Sequence, residues 1–192
     1  WNTMVTSVGN KSDTDDIGFV DSMLDTIALT YNIDSSRVYA TGYSNGAGFT
    51  FTLACNLGEK IAAIAPVAGL IATSTFESCG LSSKVSLIGF HGTSDKERPY
   101  GGIEGYLESV ETVMSYWAEN YGLVAFSDTQ LNTTNNLSII HRFYNSDDEE
   151  IEVSYFTIVE GQHDWFDIEI DNANLNQLIW QLMSRFKKRI TQ

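Results

Sequence analysis

The stretch Ile61-Ala62-Ala63-Ile64-Ala65-Pro66-Val67 is almost continuously apolar and shows no alternation of apolar with polar side chains. A strand with one wet face alternates. One that does not alternate is covered on both faces, which is the habit of parallel strands lying beneath layers of helix. The segments around it fit that requirement. Residues 16–31 place Ile17, Val20, Met23, Leu24 and Ile27 at a helical period. A turn over 32–36 leads into a short strand over 37–41, and a helical-length apolar run extends to about Leu57. Residues 85–90 read as another strand. Residues 106–121 read as a helix, with Val110, Val113, Met114, Trp117 and Tyr121 on one side.

Two further strands fall over 137–144 and 151–159, separated by the polar 145–150. A last helix spans 173–186, with Asp171 or Asn172 as its cap and Lys187, Lys188 and Arg189 at its negative pole. The first 16 residues read as loop. No repeat and no linker interrupts the 192 residues. The expected fold class is therefore α/β, one domain over 1–192, with a mostly parallel sheet and helices on both faces.

Hydrophobic residues make up 43% of the chain, enough for one sizeable core. The 25 acidic against 11 basic side chains leave a formal charge of −14, which argues against partners that are nucleic acid or anionic membrane. That acidity reads first as a solvated surface and second as an attraction for cationic substrates. No apolar run is long enough to span a bilayer. The chain opens on Trp1, without a Met-led signal segment, as in a mature or trimmed chain. Cys55 and Cys79 form no CxxC pair and sit beside no ligating histidine, so no metal and no cofactor is expected. On composition alone, the two thiols leave the compartment open.

Gly42-Tyr43-Ser44-Asn45-Gly46 matches G-x-S-x-G, and its context carries more weight than its letters. The pattern belongs to a nucleophile on a sharp turn, with a strand directly before it and a helix directly after, and both are read here independently of the motif. A turn so sharp and crowded is expected to admit no side chain at either flanking glycine. A serine hydroxyl is a poor nucleophile without a base in reach, and the chain has His91, His141 and His163 to choose from. Where such a motif heads a triad on an α/β sheet, the acid precedes the histidine, which excludes His91 if Asp95 is the acid. His141 lies within a strand pattern and is expected to face the surface. His163 sits in a glycine-containing loop just after a strand, where a base reaches across the C-terminal edge of a parallel sheet. Asp95, after the turn that follows strand 85–90, would orient the imidazole; its plainer reading is a turn cap. Asp164 is a local competitor, but a sequence neighbour of the base is poorly placed to orient it. The Asn45 N–H is one expected oxyanion donor, and a second should come from a loop after an earlier strand, which cannot be found before residue 16.

Beyond the motif, the chain resembles the secreted esterases that include polyhydroxybutyrate depolymerases and feruloyl or acetylxylan esterases, of the α/β-hydrolase kind. The resemblance rests on residues 15–20, 33–46 (through Arg37-Val38-Tyr39-Ala40-Thr41-Gly42-Tyr43-Ser44-Asn45-Gly46), Ala54-Cys55, 61–69, His91-Gly92-Thr93-Ser94-Asp95 with Pro99-Tyr100, and His163-Asp164-Trp165. It implies an α/β-hydrolase fold and a serine carboxylic-ester hydrolase of polymer or plant cell-wall esters, with Ser44 as nucleophile, Asp95 as acid and His163 as base. Tyr43 and Trp165 become substrate-binding candidates, the alternative for Trp165 being a core tryptophan. Cys55 and Cys79 match bridging positions, which implies a disulfide and a secreted or periplasmic protein. Family members carry first strands and a His-Gly oxyanion loop that find no counterpart here, so the chain is expected to be about the C-terminal two-thirds of a catalytic domain and a poor esterase alone. The Gly161-Gln162-His163 sequence, where many members have a glycine run, bears on the substrate pocket more than on the triad. Other readings are a peptidase or acyltransferase on the same fold, or an inactive polymer-binding relative.

Overall fold

The structure, a computed structural model, describes residues 1–4, 10, 12–124, 126–133, 137–146 and 150–188. Arg189 and the connector residues 147–149, expected at a helix end and between two strands, lie outside the described residues.

The chain runs α1 (Asp16–Thr30), β1 (Tyr39–Tyr43), α2 (Asn45–Asn56), β2 (Ala63–Val67), α3 (Thr73–Ser78), β3 (Ser86–Gly92), α4 (Val110–Asn120), β4 (Phe126–Asn132), β5 (Ser138–Asn145), β6 (Glu152–Ile158), β7 (Glu169–Ile170), β8 (Ala173–Asn174) and α5 (Leu175–Met183). Six strands form one sheet in the order β1-β2-β3-β6-β5-β4, and β7 with β8 forms a small hairpin. The pairs β1–β2, β2–β3 and β3–β6 are parallel, while β6–β5 and β5–β4 are antiparallel. Every residue of β2, β3 and β6 is buried, which is why β2 is apolar throughout, while β6 carries Glu152, Ser154 and Thr157 inside. On one face Ile64, Leu87 and Tyr155 pack with Phe51 of α2 and Trp117 of α4. On the other, Val67, Ile88, Phe90 and Phe156 pack with Leu175, Leu178 and Ile179 of α5. Helices therefore cover both faces.

β1 closes one side of the sheet and, among the described residues, pairs only with β2. Beside it runs an apolar cavity of about 550 Å³, lined in part by Phe19 and Met23 of α1, Tyr39 of β1 and Phe49 of α2. α1 starts on Asp15, whose carboxylate accepts from the Gly18 N–H at 2.8 Å. Of its apolar stripe, Val20 is buried, and Met23 is left 39% exposed on the side where the sheet ends.

Several expectations need correction. The strand expected over 37–41 begins two residues later and extends through Gly42 and Tyr43, which pair with Pro66 and Val67, because the Arg37 N–H is still closing a turn onto the Asp34 carbonyl. The helix expected from Tyr106 starts at Val110. Ser109 caps it, and the Leu107 N–H instead bonds the Ile103 carbonyl. Neither Asp171 nor Asn172 caps α5. Both lie at positive φ (51° and 64°) in the two-residue turn between β7 and β8, and the cap is Asn174, in a reciprocal pair with Gln177. His141 does not face the surface: its ring stacks on Phe156 at 4.0 Å, its Nε2 is buried without a partner, and burial holds its pKa down. β4 went unread because residues 126–130 are exposed throughout, so this edge strand has no dry face to impose a period.

Cys55 and Cys79 are disulfide-bonded and tie the last turn of α2 to the end of α3. Their sequence separation of 24 residues closes a medium loop. Replacing both cysteines by serine should lower stability by about 3 kcal/mol and Tm by roughly 6–12 °C, read by thermal unfolding.

Candidate active site

Ser44 stands alone between the end of β1 and the start of α2, at φ 54° and ψ −113°, a backbone conformation that L-residues avoid. Local bonds hold it there. Its N–H donates to the Val67 carbonyl at 3.0 Å, and its carbonyl accepts from the Gly48 N–H at 3.1 Å. A Cβ on Gly42 would lie 2.5 Å from the Gly46 carbonyl carbon, and one on Gly69 would lie 2.4 Å from the Ser44 carbonyl oxygen. Gly46 differs from expectation, because a Cβ there meets nothing within 4 Å. Only the strand-side glycine of the motif is sterically required by the described residues.

Asp95 follows β3 and is buried. Its Oδ1 accepts from the N–H groups of Glu97 (2.9 Å) and Arg98 (2.8 Å), and its Oδ2 accepts from His163 Nδ1 at 2.8 Å. A carboxylate only accepts, so Nδ1 carries the hydrogen and the Nε2 lone pair is left for the Ser44 hydroxyl, 2.9 Å away. The separation falls within the range expected of a serine and its base. What brings the two loops together is a glycine contact. A Cβ on Gly92 would sit 2.2 Å from the Gly161 carbonyl oxygen, the same oxygen that accepts from the Ser94 N–H at 2.9 Å. The Glu160 N–H adds a bond to Thr93 Oγ1 at 2.8 Å. Asp164, the sequence neighbour, is exposed and takes no part in this line. Glu97 reaches within 3.6 Å of His163 Nε2 from the solvent side.

Tyr43 turns back onto the base loop, its hydroxyl donating to the His163 carbonyl at 2.8 Å and its ring 5.1 Å from the imidazole. Burial, with the charges of Asp164, Glu97 and Asp95 next in weight, pushes its phenol up and so keeps it a donor. Trp165 is 40% exposed on a groove of about 620 Å³ that it lines with Gln162, Asp164 and Phe166; it is no core residue. Asn45 opens α2, so its backbone N–H is among those that no carbonyl within the helix can take, while its side chain donates to the Trp1 carbonyl at 3.0 Å. His91, set aside as a base, is fully buried and donates from Nε2 to the Arg98 carbonyl at 2.7 Å. Neither this bond nor the Tyr43 tether has a sequence signal of its own. Among the described residues no group of three His, Cys, Asp or Glu side chains is placed to hold a metal ion.

Ser44, Asp95 and His163 thus lie on the turn and loops that follow the C-terminal ends of β1, β3 and β6, with a helix behind the serine. An acetyl xylan esterase from Aspergillus awamori superposes with a TM-score of 0.54 over 77% of this chain and 61% of that one, at 18% identity. The fold is that of an α/β-hydrolase. In sequence, the chain is 34% identical over 96 residues to a bifunctional acetylxylan esterase/xylanase of Neocallimastix patriciarum, which is 50% of this chain and 14% of that protein. It is 35% identical over 82 residues to feruloyl esterase D of Neurospora crassa, covering 42% of this chain and 27% of that enzyme. Its relatives are feruloyl and acetylxylan esterases, and the matched segments span less than a third of either of these two. No family model matches the chain.

The unequal glycines of this α/β-hydrolase turn make a direct test. Gly42→Ala forces backbone apart and should cost ~1–3 kcal/mol. Gly46→Ala replaces a helical glycine in open space and should gain ~0.4–1 kcal/mol. Urea unfolding of the two variants reads the difference, and equal losses would contradict the geometry.

Proposed function

We propose that this chain carries the catalytic centre of a serine carboxylic-ester hydrolase whose substrates are esters of plant cell-wall or related polymers, of the feruloyl, acetylxylan or polyhydroxyalkanoate type. The observation that carries the reading is the unbroken line from Ser44 Oγ through His163 to the buried Asp95 carboxylate. The esterase relatives support the choice of an ester over other acyl compounds.

In this reading the Ser44 oxygen attacks the ester carbonyl carbon while its proton passes to His163 Nε2. The imidazolium so formed is stabilised by Asp95 through Nδ1, and it returns the proton to the leaving alcohol as the carbon–oxygen bond breaks. Water then enters and gives a proton to the same nitrogen as its oxygen attacks the acyl carbon; that proton passes on to Ser44 Oγ as the acyl carbon–Oγ bond breaks, which releases the acid and restores the serine hydroxyl. The negative charge on the tetrahedral oxygen is met by the Asn45 N–H at the positive end of α2, a donor of a kind worth about 2.7–4 kcal/mol in the transition state. Tyr43, which bonds the His163 carbonyl, and the half-exposed Trp165 are the proposed substrate contacts. The Cys55–Cys79 bridge supports a secreted or periplasmic location, where disulfides persist. No described helix is long and apolar enough to cross a membrane.

Initial rates on methyl ferulate and on acetylated xylan, with an amide and an acceptor alcohol as controls, test the assignment. Ser44→Ala and His163→Ala should each lower kcat by roughly 10⁶-fold and Asp95→Ala by roughly 10⁴-fold, and the triple variant should be no worse than the serine variant alone. Additive losses, or amide cleavage outrunning ester cleavage, would overturn the reading.

A further inference from the structure

His91 lies next to last in β3, is fully buried, and has no part in the proton transfers above. A buried strand position of this kind is better filled by leucine, because an imidazole brings two polar ring atoms that a dry interior must satisfy. Only one of them is satisfied. Nε2 lies 2.7 Å from the Arg98 carbonyl oxygen, which only accepts, so Nε2 carries the hydrogen; Nδ1 is buried without a partner. A side chain kept at that cost should be holding something.

What it holds is the far end of the acid loop. The Arg98 N–H donates to Asp95 Oδ1 at 2.8 Å, while the Arg98 carbonyl receives the His91 hydrogen, so this residue is gripped on both sides of its Cα. The Glu97 N–H completes the cradle on Oδ1. Oδ2 then faces His163 Nδ1 at 2.8 Å, with His91 Nε2 further off at 3.5 Å. Tyr100 packs edge-on against the His91 ring, at 6.0 Å between centroids.

We propose that His91 is a positioning residue for the acid, its Nε2 hydrogen anchoring the Arg98 carbonyl and thereby aiming the Asp95 carboxylate at His163. The imidazole must stay neutral in this role. Were it charged, it would compete with His163 for Oδ2 and weaken the acid's hold on the imidazolium. Burial, the dominant influence, pushes the His91 pKa down; the Arg98 carbonyl and Asp95 oppose it, and His163 adds to it. The groups facing His91 are Asp95, His163, the Arg98 carbonyl and Tyr100.

The inference rests on the proposed triad, and its test separates the two. The far-downfield proton resonance of His163 Nδ1–H, assigned by its loss in His163→Ala, reports the bond to Asp95 without any turnover. His91→Gln keeps an amide donor near the Nε2 position and should keep that resonance. His91→Leu removes the donor and should broaden or abolish it. On a feruloyl ester the Leu variant should lose roughly 10²-fold in kcat, the scale of a misplaced catalytic group, with KM unchanged, while the Gln variant stays close to the wild type. If His91→Leu does not fold, His91→Asn, whose amide falls short of Arg98, takes its place. A resonance at full strength in the Leu or Asn variant, one lost from a folded Gln variant, or one absent from the wild type overturns the inference. A protein that hydrolyses no ester while its resonance follows the expected pattern overturns the esterase reading and leaves the His91 assignment standing.

Discussion

A carboxylate taken out of water must find partners for its charge or cost the fold several kcal/mol, and Asp95 is such a group. Its Oδ1 is taken by two backbone N–H groups of its own loop and its Oδ2 by His163. The same bonds that satisfy the charge also define the loop and fix which imidazole nitrogen carries the hydrogen. Satisfaction of a buried charge and orientation of the His163 ring are one structural event here. The close approach of Gly92 and Gly161 is what permits it, since a Cβ on Gly92 would lie 2.2 Å from the Gly161 carbonyl oxygen, and one on Gly161 would meet Ile158 at 2.8 Å and Gly92 Cα at 3.1 Å.

The second constraint lies in the backbone of Ser44. A residue at φ 54° and ψ −113° persists only where its surroundings over-determine it. β2 supplies an acceptor for the Ser44 N–H, α2 supplies a donor for its carbonyl, and Gly42 and Gly69 leave the space the turn needs. The parallel sheet matters for a geometric reason. Parallel strands β1, β3 and β6 end on the same edge, so three loops distant in sequence converge there. The disulfide braces the far end of α2, the helix whose other end carries the proposed oxyanion donor.

Where burial is complete, the pattern of the sequence reads true. The apolar run at 61–67 becomes a strand covered on both faces, and the stripe of Val110, Val113, Met114 and Trp117 becomes the buried side of α4. Where local bonding competes with periodicity, the pattern misleads. Leu107 is buried on helical spacing yet belongs to a turn closed onto Ile103, and Ala173 joins a hairpin before α5 begins. β4 is exposed over residues 126–130, and among its described residues only Leu131 packs on the core, too little to impose a period. In the site, Ser44, Asp95 and His163 are legible because order and strand-end position are sequence properties. The Arg98 anchor at His91 and the Tyr43 tether are not, because each joins a side chain to a backbone carbonyl, and a carbonyl has no letter.

In the proposed reaction His163, held by Asp95, is what makes the Ser44 Oγ a nucleophile. Covalent labelling with a fluorophosphonate, followed by peptide mass analysis, reads that reactivity without any assumption about the natural substrate. A single adduct on Ser44, formed quickly in the wild type and far more slowly in a folded His163→Ala variant, is the predicted result. Labelling at another residue, or at the same rate without the histidine, would contradict the account.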